Sequence, residues 1–227
     1  MTGCSPGVTR CEDLTAGTYA TTGQFAFMPG LVVTLPPGWS SAEQDAGEFN
    51  LYPVSDTNLN DMLVFWLDVV AAGPTGQPVP GIGTTPQELA DFLANDPSLI
   101  VSERGTATIG DGIRATTLVM QVNPTGPKDD PEDCPGDRCA FPLHDPRHWD
   151  GAIGITVNSF EDPQQACPCS HAIRLYLASI GSASDPHTFA VAVMVYASDP
   201  ESELASLQAD VQSMIDSIRL PAEYENN

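Results

Sequence analysis

The stretch 188–220 constrains the fold more than any other. In Thr188-Phe-Ala-Val-Ala-Val-Met-Val-Tyr-Ala197, Phe189, Val191, Val193 and Val195 share one face of a strand, and Ala190, Ala192, Met194 and Tyr196 share the other. Both faces are apolar, which is the pattern of a central strand covered on both sides. The next residues start a helix. Asp199 suits the N-cap, Pro200 the first helical position, and Glu201 and Glu203 complement the positive end of the dipole. Leu204, Leu207, Val211, Met214, Ile215 and Ile218 then recur at spacings of three and four, an amphipathic stripe closed by Pro221. The chain therefore ends in a central strand and a helix, over about 200–218, that lies back across the sheet.

Earlier segments read as further strands of the same sheet. Residues 18–27 and 31–35 predict an N-terminal hairpin turned at Met28-Pro-Gly30, with Trp39 as a packing residue at one end of the sheet. Residues 41–47 read as a polar loop, 48–52 as a strand, and 62–70 as a strong strand, apolar on both sides except at Asp68. Residues 71–83 read as a Gly/Pro loop. Its glycine spacing fits neither phosphate-binding pattern, and no lysine follows. Thr85-Pro86-Gln87-Glu88 forms a capping box that opens a second helix, about 86–95, with Leu89, Phe92 and Leu93 as its buried stripe. Short strands follow at 99–101 and 105–109, then a tight Gly110-Asp-Gly112 turn and a strand over 113–122. From 123 to 150 the periodicity disappears among prolines and charges, leaving a long excursion pinned by Cys134 and Cys139. Strands at 151–160 and 172–180 and a turn over 181–187 lead into the final strand. The expected fold is α+β: a twisted antiparallel sheet with an N-terminal hairpin and two helices packed against it. Residues 1–15 form a tether, 16–221 a single domain and 222–227 a tail.

Charge narrows the partners. With 30 acidic against 8 basic residues the net charge is −22, a surface that repels nucleic acid and anionic lipid. No apolar run is long enough to span a membrane. Six cysteines, Cys4, Cys11, Cys134, Cys139, Cys167 and Cys169, lie in loop-like, Pro-rich surroundings that suit disulfides and an oxidising compartment. Met1-Thr-Gly-Cys4 matches the end of a lipobox, which makes Cys4 a lipid anchor; alternatively Cys4 pairs with Cys11.

Several stretches resemble a group of uncharacterised bacterial exported lipoproteins. They are Gly17-Thr-Tyr, Val33-Thr-Leu-Pro-Pro-Gly-Trp39, Glu48-Phe-Asn-Leu51, the Gly110-Asp-Gly112 turn, Cys134-Pro-Gly, Arg174-Leu-Tyr-Leu177 and the terminal strand and helix. The order of parts is similar to LpqN-like and PsbP-like domains. That resemblance implies an extracytoplasmic or envelope location and an accessory or binding role, and it carries over no catalytic residue.

Three clusters suggest chemistry. His144 and His148, with Asp150 and the more distant His171, could bind a divalent cation, although Pro146 separates the first two histidines and no H-E-x-x-H is present. Cys167-Pro-Cys169-Ser-His171 alternates onto one face as soft ligands require, but disulfides are the favoured account of its cysteines. Asp129, Asp130, Glu132, Asp133 and Asp137 offer oxygens to calcium without the EF-hand spacing. Neither G-x-S-x-G nor S-x-x-K occurs. The expected function is a non-catalytic exported or envelope-associated binding domain without a cofactor. It would engage an envelope protein or a small ligand, in a cleft between sheet and C-terminal helix lined by Trp66, Met194 and Tyr196. A metal-binding protein or metal-dependent hydrolase built on the 144–150 cluster is the alternative.

Overall fold

A computed structural model describes residues 12–21, 28–44, 48–55, 61–127, 138–146, 152–157 and 170–224. In chain order the strands are β1 (Glu12–Leu14), β2 (Gly17–Ala20), β3 (Val32–Leu35), β4 (Trp39–Gln44), β5 (Glu48–Pro53), β6 (Met62–Leu67) and β7 (Val70–Ala71). Helix α1 (Pro86–Asn95) follows, then β8 (Leu99–Ile109), β9 (Ile113–Val122), β10 (Arg138–His144), β11 (Ala152–Val157), β12 (Ser170–Ser182) and β13 (Asp185–Ala197). Helix α2 (Pro200–Asp216) and a 3-10 turn, Ala222–Tyr224, end the chain.

Among the described residues, eleven strands form one sheet in the order β1-β4-β5-β6-β13-β12-β11-β10-β7, with β9 also on β12 and β8 on β9; β2 and β3 pair separately. Every strand pairing is antiparallel. The sheet forks at β12. Strand β9 pairs with its Ala172–Ala178 stretch, whereas β11 meets it at Ser170. Only Asp68 and Val69 separate β6 from β7, so the branch through β11, β10 and β7 returns to the strand next to β13.

Strand β13 lies between β6 and β12, and each of its faces is packed. Phe189, Val191, Val193 and Val195 meet Leu204, Leu207, Val211, Met214 and Ile215 of α2 in one core. That core also takes Val33 and Leu35 of β3 and a row of rings, with Phe49–Phe65 centroids 5.5 Å apart and Phe65–Phe189 6.3 Å apart. The opposite face, with Ala190, Ala192 and Met194, packs with Leu89, Ala90 and Leu93 of α1. Each helix covers one face because each presents a single apolar stripe.

Local chemistry sets the helix ends. In α1 the Thr85 hydroxyl accepts from the Glu88 N–H at 3.3 Å and the Glu88 carboxylate accepts from the Thr85 N–H at 3.3 Å. In α2 the Asp199 carboxylate accepts from the Ser202 N–H at 3.4 Å. Helix α2 stops at Asp216, two residues before the expected end. There the Ser217 hydroxyl donates to the Met214 carbonyl at 2.8 Å and accepts from the Thr34 N–H at 2.8 Å. Arg219 then bridges to Val32 through both backbone groups, so Ile218 is buried from extended chain rather than from the helix.

Several segments differ from the sequence expectation. The tether contributes β1, which pairs with β4 through Glu12↔Ser41 and Leu14↔Trp39. The supposed polar loop at 41–47 supplies most of β4, because Ser40 and Ser41 are buried between β1 and β5. Trp39 is part of that strand. The two short strands at 99–109 are one, and the break in their alternation is a bulge between Val101 and Glu103. The aperiodic 123–150 region contains β10, whose register shifts between Ala140 and Leu143, where Pro142 sits. The expected 181–187 turn is tighter, since strand pairing continues to Ser182↔Asp185. In the expected tail, Tyr224 packs edge-on to His187, with centroids 5.2 Å apart. Of the N-terminal hairpin, β2 and β3 pair from Gly17↔Leu35 to Ala20↔Val32, and residues 22–27 lie outside the described residues.

Candidate functional site

Beyond β7 the chain makes a tight excursion. The Val79 N–H donates to the Ala71 carbonyl at 2.9 Å, and the Gly73 N–H to the Gln77 carbonyl at 2.9 Å. His144 Nδ1 lies 2.9 Å from the Gly76 carbonyl, and since a carbonyl can only accept, that nitrogen carries the proton. At the far end the Thr188 hydroxyl donates to the Thr84 carbonyl. The excursion is thus held at both ends, and residues 80–83 cross between the two attachments. Pro97 and Pro127 are placed by Asn123, whose amide donates to the Pro97 carbonyl at 3.0 Å while its own oxygen accepts from the Thr125 N–H at 3.0 Å. Gly126 lies against the same carbonyl so closely that a Cβ would stand 2.4 Å from it.

Between this excursion, the outer face of α1 and the 123–127 turn lies a groove of about 700 Å³. Val79, Ile82, Phe92, Pro97 and Pro127 give it apolar walls. Ile82 is 37% exposed, and Phe92 is half-buried. Phe92 therefore differs from its expected role. It lies at the margin of the helical stripe, and Leu89, Ala90 and Leu93 make the buried contact instead. Glu88, Asp91 and Asp96 also line the groove, and among the described residues no lysine or arginine does. Asp91 accepts from Gln87 at 3.0 Å and from Arg104 at 2.5 Å. The Gln87 amide first, and then the Arg104 guanidinium, hold its carboxyl below the ordinary value.

A second cavity, of about 880 Å³, lies beside the chain after α2 and is lined by Thr18, Val32, Asp111, Ile113, Ile218 and Arg219. The expected cleft residues are not there. Trp66 and Met194 are 3% and 5% exposed in the core under α1, on the face opposite α2. Tyr196 is buried beside His171, their rings 4.8 Å apart. A third cluster centres on His187, whose Nδ1 lies 3.0 Å from Asp68 and whose Nε2 lies 3.6 Å from Asp185. Asp68, with φ of 59°, turns the chain out of β6, and its carboxylate accepts from the Thr188 N–H at 3.2 Å. An aspartate alone in an otherwise two-sided apolar run was the signal for that turn.

Of the proposed metal ligands, His144 bonds Gly76 and His171 stacks with Tyr196, and His148 and Asp150 lie outside the described residues. Among the described residues, no three His, Cys, Asp or Glu side chains gather as a metal site would require. Cys139 stands opposite Thr156 in the β10–β11 pair; Cys4, Cys11, Cys134, Cys167 and Cys169 lie outside the described residues, as do Asp129, Asp130, Glu132, Asp133 and Asp137. Among the described residues, no helix is long and apolar enough to cross a membrane.

Fold and groove together define an antiparallel α+β sheet protein with an open apolar groove on its α1 side. No family model and no curated protein matches the chain. Among solved structures, a crystal structure of a protein from Bacteroides thetaiotaomicron VPI-5482 is similar, with a TM-score of 0.41 and 10% identity. The match covers 92% of this chain and 50% of the other, so this chain spans about half of that one's length. A superposition that loose fixes neither fold nor function.

Proposed function

We propose that this chain is a non-catalytic binding domain, exported or attached to the cell envelope, that holds an apolar ligand in the groove between the 72–83 excursion and α1. The observation that carries the reading is the groove itself. Its volume of about 700 Å³ is that of a small-molecule site, and it presents Ile82 and Phe92 to solvent from a backbone fastened on both sides. Strong attachment of the walls reduces the ordering cost of binding. The six cysteines and the family resemblance support the extracytoplasmic placement.

The alternative, a metal protein built around His144, rests on one feature. A histidine whose Nδ1–H is fixed on a carbonyl leaves Nε2 free to coordinate, the usual arrangement of a ligating imidazole. Metal analysis of protein purified without chelator separates the two readings.

The binding reading is tested with 1-octanol as a neutral apolar probe, followed by backbone amide NMR. Saturable shifts are expected at Gly81, Ile82, Gly83, Phe92 and Asp96. Ile82→Ser, at an exposed position that spares the core, should weaken the probe about tenfold, the equivalent of losing much of one aliphatic contact. Absence of saturable shifts, or an unchanged affinity in Ile82→Ser, overturns the reading.

A further inference from the structure

The lining of the groove has a sign as well as a polarity, and on that basis we infer that it selects cationic amphiphiles: ligands with an apolar chain and an ammonium-like head. This rests on the binding reading above and names its ligand class.

Three carboxylates, Glu88, Asp91 and Asp96, line the α1 side of the groove, and among the described residues none of its lining is basic. Each carboxylate is positioned through one oxygen. Glu88 Oε2 accepts from the Thr85 N–H and hydroxyl at 3.3 and 2.6 Å. Asp96 Oδ1 accepts from the Ser98 N–H and hydroxyl at 2.8 and 2.6 Å. Asp91 Oδ1 takes Gln87 and Arg104. These bonds fix the placement of the three groups among the residues that line the groove. Arg104, tied to Asp91, offsets one of the three charges, so the groove keeps an excess of negative charge.

Val79 and Ile82 of the excursion and Pro127 of the turn form the walls across from α1, and Phe92 and Pro97 add apolar surface beside the carboxylates, which together suit an alkyl or aryl body. Among the described residues an anionic amphiphile would find only Arg104, already paired with Asp91, and would face three carboxylates. A neutral one would gain only the apolar contact. A cationic one gains both, and the field of a chain with net charge −22 raises its local concentration. Exposed ion pairs contribute little individually, so the selectivity rests on several carboxylates acting along one wall.

The test uses three probes of equal chain length below their micellar concentrations: octyltrimethylammonium, 1-octanol and octyl sulfate. At low salt octyltrimethylammonium should bind about fivefold more tightly than 1-octanol, and octyl sulfate more weakly than either. High salt should erase the difference and leave 1-octanol unaffected. The double variant Glu88→Gln, Asp96→Asn preserves the fold, because Gln still completes a capping box and Asn still accepts from Ser98. It should abolish the cationic preference, read as the ratio of octyltrimethylammonium to 1-octanol affinity within the variant. If 1-octanol binds and the cation binds no better, the charge selectivity is wrong and the binding reading stands. If the cationic preference survives unchanged in the double variant, the preference belongs to the whole surface and the inference fails. If no probe binds, the binding reading itself fails.

Discussion

Replacing Gly110 by alanine should be far more damaging than replacing Gly112, although both occupy the same two-strand turn with positive φ. Gly110 has φ of +51°, and a Cβ there would stand 2.0 Å from the Ile218 carbonyl oxygen and 2.9 Å from its carbon. Gly112 has φ of +93° with nothing within 4 Å of the added atom. For Gly112→Ala only backbone strain remains, about 1–2 kcal/mol. For Gly110→Ala the same strain applies, and the clash must also be relieved. The Ile218 carbonyl cannot retreat, since Arg219 is bonded to Val32 in both directions, at 2.9 and 3.0 Å. The turn must therefore lift away from the chain after α2. It loses the Gly110 N–H bond to the Ile215 carbonyl, now 3.0 Å, and uncovers part of the fully buried Ile218. A net hydrogen bond is worth about 1 kcal/mol and partial exposure of an isoleucine about 1–2 kcal/mol, for a total of roughly 3–5 kcal/mol. Urea titration followed by tryptophan fluorescence reads the difference. At a slope of roughly 2 kcal/mol per molar, Gly110→Ala should lower the midpoint by about 2 M and Gly112→Ala by less than about 1 M. Equal midpoints for the two variants would refute the argument from close approach.

Two further outcomes follow from the α1 segment. Thr85→Ala removes the hydroxyl that accepts from the Glu88 N–H, while the backbone N–H of residue 85 can still donate to the Glu88 carboxylate, and should cost about 1 kcal/mol in urea unfolding, whereas Thr85→Ser should be nearly neutral; equal losses would show that the methyl rather than the hydroxyl matters. Asp91 has a folded pKa below its ordinary 3.8, so the stability it adds is present above that value and disappears as pH falls through the folded pKa. In a carboxyl carbon NMR titration, Gln87→Ala and Arg104→Gln should each raise the Asp91 pKa; an unchanged value in either variant would mean that the partner it removes does not hold the carboxylate.

The parts that could be read from sequence are those whose local chemistry and burial agree. The two-sided apolar pattern of 188–197 describes β13 correctly, and Thr85-Pro86-Gln87-Glu88 marks the start of α1 where it occurs. The periodicity of β13 separates its faces but does not say which helix covers which, and so Trp66 and Met194 were assigned to the wrong layer. Strand β4 was hidden because its interior positions include Ser40 and Ser41, polar groups whose burial depends on neighbours. Strand β10 was hidden by a proline at its irregularity. The groove was least legible of all. Its walls come from residues 72–83, 88–97 and 127, and what joins them is a set of long-range bonds, Thr188 to Thr84, His144 to Gly76 and Asn123 to Pro97. Only Phe92, an aromatic ring at the edge of an amphipathic stripe, gave a local hint.

The middle of the sheet joins strands that leave the ribosome far apart in time. Strand β6 pairs on one side with β13 through Phe189↔Leu67 to Met194↔Met62, so the first third of the protein waits for residues synthesised more than a hundred positions later. Until then β6 offers an open apolar edge, the kind of surface that recruits other unfinished chains. The β12–β13 ribbon, closed by a short loop, must exist before β6 gains its second neighbour and that edge is covered.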